Sequence, residues 1–276
     1  MRFALLLLLT INTLAVNGSI HKWSAVQNMT IFMLGDSTMN RQAEKFCTLL
    51  NGSMRDKDQL KVCRSKQYNV TLVRSANVVS AGVIDKNAKY VTDAIKATNI
   101  PDVVYFNGAL HFLHLIPYRK WNYDEWATVE ESAIEMVNNV KSMAPRAHVI
   151  FMKNHAICEQ KYIKGYKEMI QKMKTEPTTK WANECVHWLM KHATESKKSA
   201  EEKCVRGIFT TNGVRDLNNR ITSSIRNTFD DVAVLDLFMF TLNRCEYTKL
   251  GDGRHYSELE YYEVVEFYYK IQELIS

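Results

Sequence analysis

None of the six cysteines of this 276-residue sequence stands in a Cys-x-x-Cys pair. That spacing serves zinc sites and thioredoxin-type centres, so neither is expected. No apolar run reaches the roughly 20 residues that a membrane-spanning helix needs. No single-sign patch is interleaved with aromatics: the formal charge is +6, and residues 191–203 mix lysine with glutamate and serine. A solvated helix or loop accounts for such a stretch, and a nucleic-acid partner is not expected. No internal repeat or linker divides the chain, and Gly165 is the one glycine between residues 158 and 206. What remains, 46% hydrophobic and 24% charged residues, is the make-up of an ordinary globular protein with one sizeable core or two small ones.

The amino terminus carries one positive charge, a short apolar block and a small-residue end, the pattern of a secretory signal peptide over residues 1–18. A short signal anchor is the alternative; the block is too short for a stable membrane span and contains Asn12. Residues 19–276 then form a single domain with a helical insertion at about 158–206. Glycosylation sequons at Asn17, Asn28, Asn51 and Asn69 agree with export, as does an even cysteine count. The expected location is the secretory pathway, either outside the cell or in the Golgi lumen. Six cysteines allow fifteen pairings. The expected set is Cys47–Cys63, Cys158–Cys245 and Cys185–Cys204; the last closes the charged segment and would contribute roughly 3 kcal/mol in the chain-entropy model.

Five apolar runs, at 29–34, 67–74, 102–107, 147–152 and 231–236, read as strands. Between and after them, residues 41–50, 123–143, 209–229 and 258–275 carry helical patterns. Continuous apolar strands alternating with helices imply a parallel sheet covered on both faces, hence a three-layer α/β/α, flavodoxin-like sandwich with a five-stranded parallel sheet. In such a sheet ligands bind beyond the carboxyl ends of the strands. Ser37, Gly82, Asn107, His155 and the segment holding Asp252 and His255 all fall there.

The first run stops at Gly35-Asp36-Ser37, which reads as strand, tight turn, helix. Ser37 would sit where unpaired helix N–H groups and the positive end of the helix dipole gather, a setting that favours an anion developing on a bound acyl group. An Asp-Ser pair also simply caps helices. The conjunction with Asp252-Gly-Arg-His255 changes the balance. A carboxylate three residues before an imidazole can hold one ring N–H and leave the other nitrogen free to take a proton from a serine hydroxyl. An isolated Asp-x-x-His is otherwise a helix cap and a surface histidine.

These blocks, together with Arg41-Gln42 and with Asn107-Gly108 followed by His111, resemble the SGNH (GDSL-like) hydrolase superfamily. Within it they resemble the PC-esterase branch, which includes glycan O-acyltransferases and esterases. The resemblance implies Ser37 as nucleophile, His255 as base and Asp252 as its orienter. It also implies an oxyanion hole from Asn107, the Ser37 N–H and a glycine, for which Gly82 is the candidate. The sequence departs from the family in placing Arg41 four residues after the serine, in having Gly108 after Asn107, and in lacking the cysteine- and tryptophan-bearing extension of plant members.

Arg41, His111 and His155 are candidates for lining the substrate site. His111 and His114 have two-ligand spacing, but no carboxylate or third histidine completes a metal site, so no metal and no cofactor is expected. Trp121, Tyr123 and Trp126 read as core on a helix face, with sugar stacking as the alternative. The expected function is serine-dependent ester chemistry through an acyl-serine intermediate, as an esterase or an O-acyltransferase. Its partner is a small-molecule or glycan acyl ester, and the resemblance implies O-acetyl groups on carbohydrate. The alternative from another class is a catalytically silent glycan-binding module on the same fold, which has no need of all three of Ser37, Asp252 and His255.

Overall fold

In the computed structural model the described residues are 23–57, 60–75, 79–80, 83–84, 89–108, 110, 113, 122–162, 186–187, 189–191, 193–207, 210–249 and 251–276. The signal peptide, Gly82, His111, His114, Trp121 and Cys185, with its pairing to Cys204, lie outside them, as do residues 163–185 of the expected insertion.

The central strand is β1 (Thr30–Leu34), and all five of its residues are buried. A strand buried on both faces must be covered on both. It pairs in parallel with β4 (Val70–Ser75) on one side and β5 (Val103–Phe106) on the other. Beyond β5 come β6 (His148–Met152) and β7 (Val232–Leu235), again parallel. Beyond β4 the direction reverses: β3 (Leu60–Ser65) and β2 (Ser53–Lys57) add antiparallel. The result is a mixed seven-stranded sheet in the order β2-β3-β4-β1-β5-β6-β7. This corrects the expected five-stranded parallel sheet. The sequence Ser-Met-Arg-Asp-Lys of β2 is polar enough to read as loop, because an edge strand is held by backbone bonds and needs little apolar surface.

Alternation along the strands divides the core in two. Phe32, Leu34, Val104, Phe106, Val149 and Phe151 point to the face covered by α2 (Lys89–Ala97), α3 (Tyr123–Met143) and α5 (Thr211–Thr228). Ile31, Met33, Tyr105, Ile150 and Met152 point to the face covered by α1 (Ser37–Leu49) and α7 (Glu260–Ile275). On that side Tyr105 stacks on Phe267 with ring centroids 4.1 Å apart. Two further helices are α4 (Lys197–Gly207) and α6 (Leu237–Thr241).

Local signals set the helix ends. Asn122 and Glu125 form a reciprocal capping box at the start of α3, and Thr210 caps α5. Disulfides join Cys47 to Cys63 and Cys158 to Cys245, the pairs expected from the sequence. The first ties α1 to β3 and so anchors the antiparallel edge. Among the described residues no helix is long and apolar enough to cross a membrane.

Candidate active site

The carboxyl ends of the parallel strands bring the chemistry-bearing residues together. Asp36 follows β1 and caps α1, its Oδ1 accepting from the Thr38 N–H at 2.8 Å. Ser37 is therefore the first residue of α1, at an end where backbone N–H groups have no intrahelical partner. Its Oγ lies 2.7 Å from His255 Nε2. His255 Nδ1 lies 2.9 Å from both Asp252 oxygens. A carboxylate only accepts, so in the neutral ring Nδ1 carries the hydrogen and Nε2 is left to accept from the serine hydroxyl. Burial pushes the Asp252 carboxyl up, but the His255 contact and the charges of His255, Arg254 and Arg41 outweigh it and hold it below the usual value. A hydroxyl, an imidazole and a carboxylate in line can remove the serine proton and keep the resulting imidazolium oriented.

The loop holding Asp252 and His255 is clamped from below by the chain after β6. Cys158 N–H donates to the Gly253 carbonyl at 2.7 Å, Gly251 N–H donates to the Lys161 carbonyl, and the Tyr256 hydroxyl donates to the Ala156 carbonyl at 2.9 Å. Gly253 has φ +66°, and a Cβ there would stand 2.6 Å from Tyr162 backbone. Glycine is thus needed twice over, for the left-handed conformation and for the close approach. The Cys158–Cys245 disulfide fastens the same segment covalently.

Asn107, at the end of β5, is 1% exposed. Its Oδ1 accepts from the Asp36 N–H at 3.2 Å, which fixes the orientation of the amide. Its Nδ2 then faces Asp36 Oδ1 at 3.2 Å and Asn154 Oδ1 at 3.5 Å. Asn154 donates to the Gly108 carbonyl and is bonded in turn to Asn218 of α5. A buried amide chain therefore runs beneath the Ser37 turn.

The other sequence-derived candidates fall in different places. Arg41 reaches across to the start of α7, donating to Ser257 Oγ at 3.0 Å with Glu260 Oε1 at 3.7 Å. His155 is 3% exposed and contacts Glu263 and the Arg254 carbonyl, with its ring edge-on to Tyr256. It is packed under the Asp252–His255 loop and does not line an open cleft. Tyr123 is exposed, and Trp126 carries the Arg220 guanidinium 4.5 Å over its ring.

Sequence reasoning missed Glu263 and Asn218. Glu263 shares the i, i+4, i+8 spacing with Phe267 and Ile271, so helical periodicity alone puts it on the buried face of α7. Nothing local marks Asn218. Among the described residues no group of three or more His, Cys, Asp or Glu side chains could hold a metal ion.

No family model matches the chain, and no curated protein matches it. Solved structures to which it is similar include a carbohydrate esterase family 3 protein from Talaromyces cellulolyticus, with 15% identity over 90% of this chain and 98% of that one, at a TM-score of 0.45. An acetylxylan esterase from Geobacillus stearothermophilus has 12% identity over 90% and 96%, at 0.47. A mutant acetyl esterase with acetate ion has 14% identity over 90% and 98%, at 0.46. Likenesses this distant carry no argument, and the site stands on its own geometry.

Proposed function

We propose that the protein is a serine-dependent ester enzyme of the SGNH type, in the PC-esterase branch, acting on ester-linked acyl groups in the secretory pathway or outside the cell. The observation that carries this reading is the line Ser37 Oγ, His255 Nε2, His255 Nδ1, Asp252, closed at 2.7 and 2.9 Å, with serine and histidine 218 positions apart. Core packing does not call for such a line. The parallel strand order β4-β1-β5-β6-β7 supports a flavodoxin-like frame, in which the site lies at the carboxyl ends of the strands.

In the first half-reaction His255 Nε2 takes the Ser37 proton as Oγ bonds to the acyl carbon. Collapse of the tetrahedral adduct breaks the ester bond, and the imidazolium returns its proton to the departing alkoxide. The oxyanion is assigned to the Ser37 N–H at the head of α1, to the Asn107 amide and to Gly82. Asn107 Nδ2 stands 3.2 Å from Asp36 Oδ1 and 3.5 Å from Asn154 Oδ1, so the contact to Asn154 is the weaker of the two to exchange for an oxyanion. In the second half-reaction His255 deprotonates either water or a held sugar hydroxyl as its oxygen bonds to the acyl carbon; the Ser37 Oγ–acyl bond then breaks and the imidazolium returns its proton to Oγ, giving an esterase with water and an O-acyltransferase with the sugar. O-acetyl groups on carbohydrate are the proposed substrate class, from the resemblance of the motifs.

The test is labelling with a fluorophosphonate probe followed by locating the modified residue. Modification at Ser37, absent in Ser37→Ala, is expected. An unlabelled wild-type protein that still binds oligosaccharide would overturn the reading in favour of a silent glycan-binding module.

A further inference from the structure

Beneath the Asp252–His255 loop lies a group of polar side chains with no part in the proposed chemistry. Glu263 of α7 is 1% exposed, and its Oε2 accepts from Gln42 Nε2 at 2.8 Å. Its Oε1 stands 3.1 Å from His155 Nε2, close but not aligned as a hydrogen bond. His155 Nδ1 faces the Arg254 carbonyl at 3.4 Å. His155 thus stands between two oxygens from different elements, the Glu263 carboxylate on its Nε2 side and the Arg254 carbonyl, which only accepts, on its Nδ1 side. Burial pushes the His155 pKa down, but Glu263, the Arg254 carbonyl and Asp36 outweigh it, and the net direction is up.

An enclosed ion pair of this kind contributes little net stability, because desolvating both charges offsets their attraction; apolar side chains of equal volume do as well or better. Its contribution must therefore be sought in geometry. Gln42 lies in α1, the helix that begins with Ser37; His155 follows β6; and Arg254 is the residue before His255. Glu263 of α7 meets Gln42 of α1 on one side and His155 on the other, and His155 meets the peptide before His255, so the contacts run from the helix of Ser37 to the loop of His255.

We infer that Gln42, Glu263 and His155 are positioning residues, a buried network that holds the Arg254–His255 peptide at the right height against the helix carrying Ser37. The inference rests on the reading of Ser37 and His255 as nucleophile and base. Glu263 holds His155 through its carboxylate, His155 faces the peptide before the base, and Gln42 ties the assembly to the nucleophile's helix. Displacement of reacting groups by about 1 Å costs on the order of 10²-fold in rate, so a network that sets this distance acts on turnover and not on substrate affinity.

The experiment is Glu263→Gln, which keeps volume and removes the charge. The expected result on an aryl acetate is kcat lower by about 10- to 100-fold with KM unchanged and a folded protein by circular dichroism. In the substrate-free protein the downfield proton resonance of His255 Nδ1–H should shift or broaden. Unchanged kcat and an unchanged resonance would overturn the inference. Should Glu263→Gln not fold, the paired variant His155→Leu with Glu263→Met removes both charges together and should keep stability while losing turnover. If it keeps both, the inference falls. The resonance separates the two readings: a shift in a protein whose Ser37 never labels overturns the proposed function and leaves only a structural tie between α1 and the His255 loop, whereas labelling of Ser37 with no shift overturns the positioning role and leaves the proposed function.

Discussion

Gly35 and Asn107 approach so closely that a Cβ on Gly35 would stand 1.8 Å from Asn107 Oδ1 and 2.9 Å from Met39 Cβ. The glycine of the Gly35-Asp36-Ser37 turn is thus required by contact with the end of a neighbouring strand. Gly35→Ala should destabilise the protein by about 1–3 kcal/mol through overpacking, and should reduce turnover further by pushing the Asn107 amide off the Asp36 N–H. Denaturant unfolding checks the first expectation; an undiminished midpoint would show that the turn can relax.

Ser37→Ala should abolish ester hydrolysis while leaving the fold intact. The side chain is half-buried at a helix start, and the change removes one oxygen without opening core volume. Full turnover of an aryl acetate by the purified variant would remove Ser37 from the chemistry.

His255→Ala should lower kcat on the order of 10²–10⁴-fold, the usual worth of a positioned general base. Asp252→Asn should cost less, because it only misorients the ring that Asp252 holds at 2.9 Å. Equal and small losses in steady-state kinetics of the two variants would exclude the pair from catalysis.

Stability should fall at both ends of the pH scale, for opposite reasons. Burial pushes the Asp252 carboxyl up, but the His255 contact and nearby positive charges outweigh it and hold it below its usual 3.8. It therefore contributes stability above that value and loses it as pH falls further. The His155 pKa is raised from 6.5, burial being outweighed by Glu263, so its contribution is complete below 6.5 and is lost as pH rises through the folded value. Thermal midpoints across pH should therefore show the gap between wild type and Asp252→Asn closing in acid. The gap between wild type and His155→Gln should close in alkali. A gap independent of pH would reassign the contribution to packing.

The parts of this fold that can be read in advance are those fixed by local pattern. Residues 102–107 and 147–152 are apolar runs between turns and form β5 and β6; the spacing over 123–143 forms α3 with those same ends. The strands β2 and β3 escape such reading because their identity lies in backbone pairing at a sheet edge, where Arg55, Asp56 and Arg64 are admissible. The same division holds in the site. Ser37, Asp252 and His255 sit in short motifs and are legible. Glu263 and Asn218 acquire their surroundings only from elements distant in sequence, and His155 reads as a strand-end residue until α7 is laid over it.

The Cys158–Cys245 bond joins residues 87 positions apart, one beside the clamp under the Asp252–His255 loop and the other shortly before that loop. In covalent terms the chain between them is a ring, with both feet at the base of the Asp252–His255 loop. A peptide bond cut anywhere in that ring leaves one molecule, with Asp252 and His255 still tethered to the half that contains Ser37. A nicked protein should run as a single species on a denaturing gel until a thiol is added, and only then part into two.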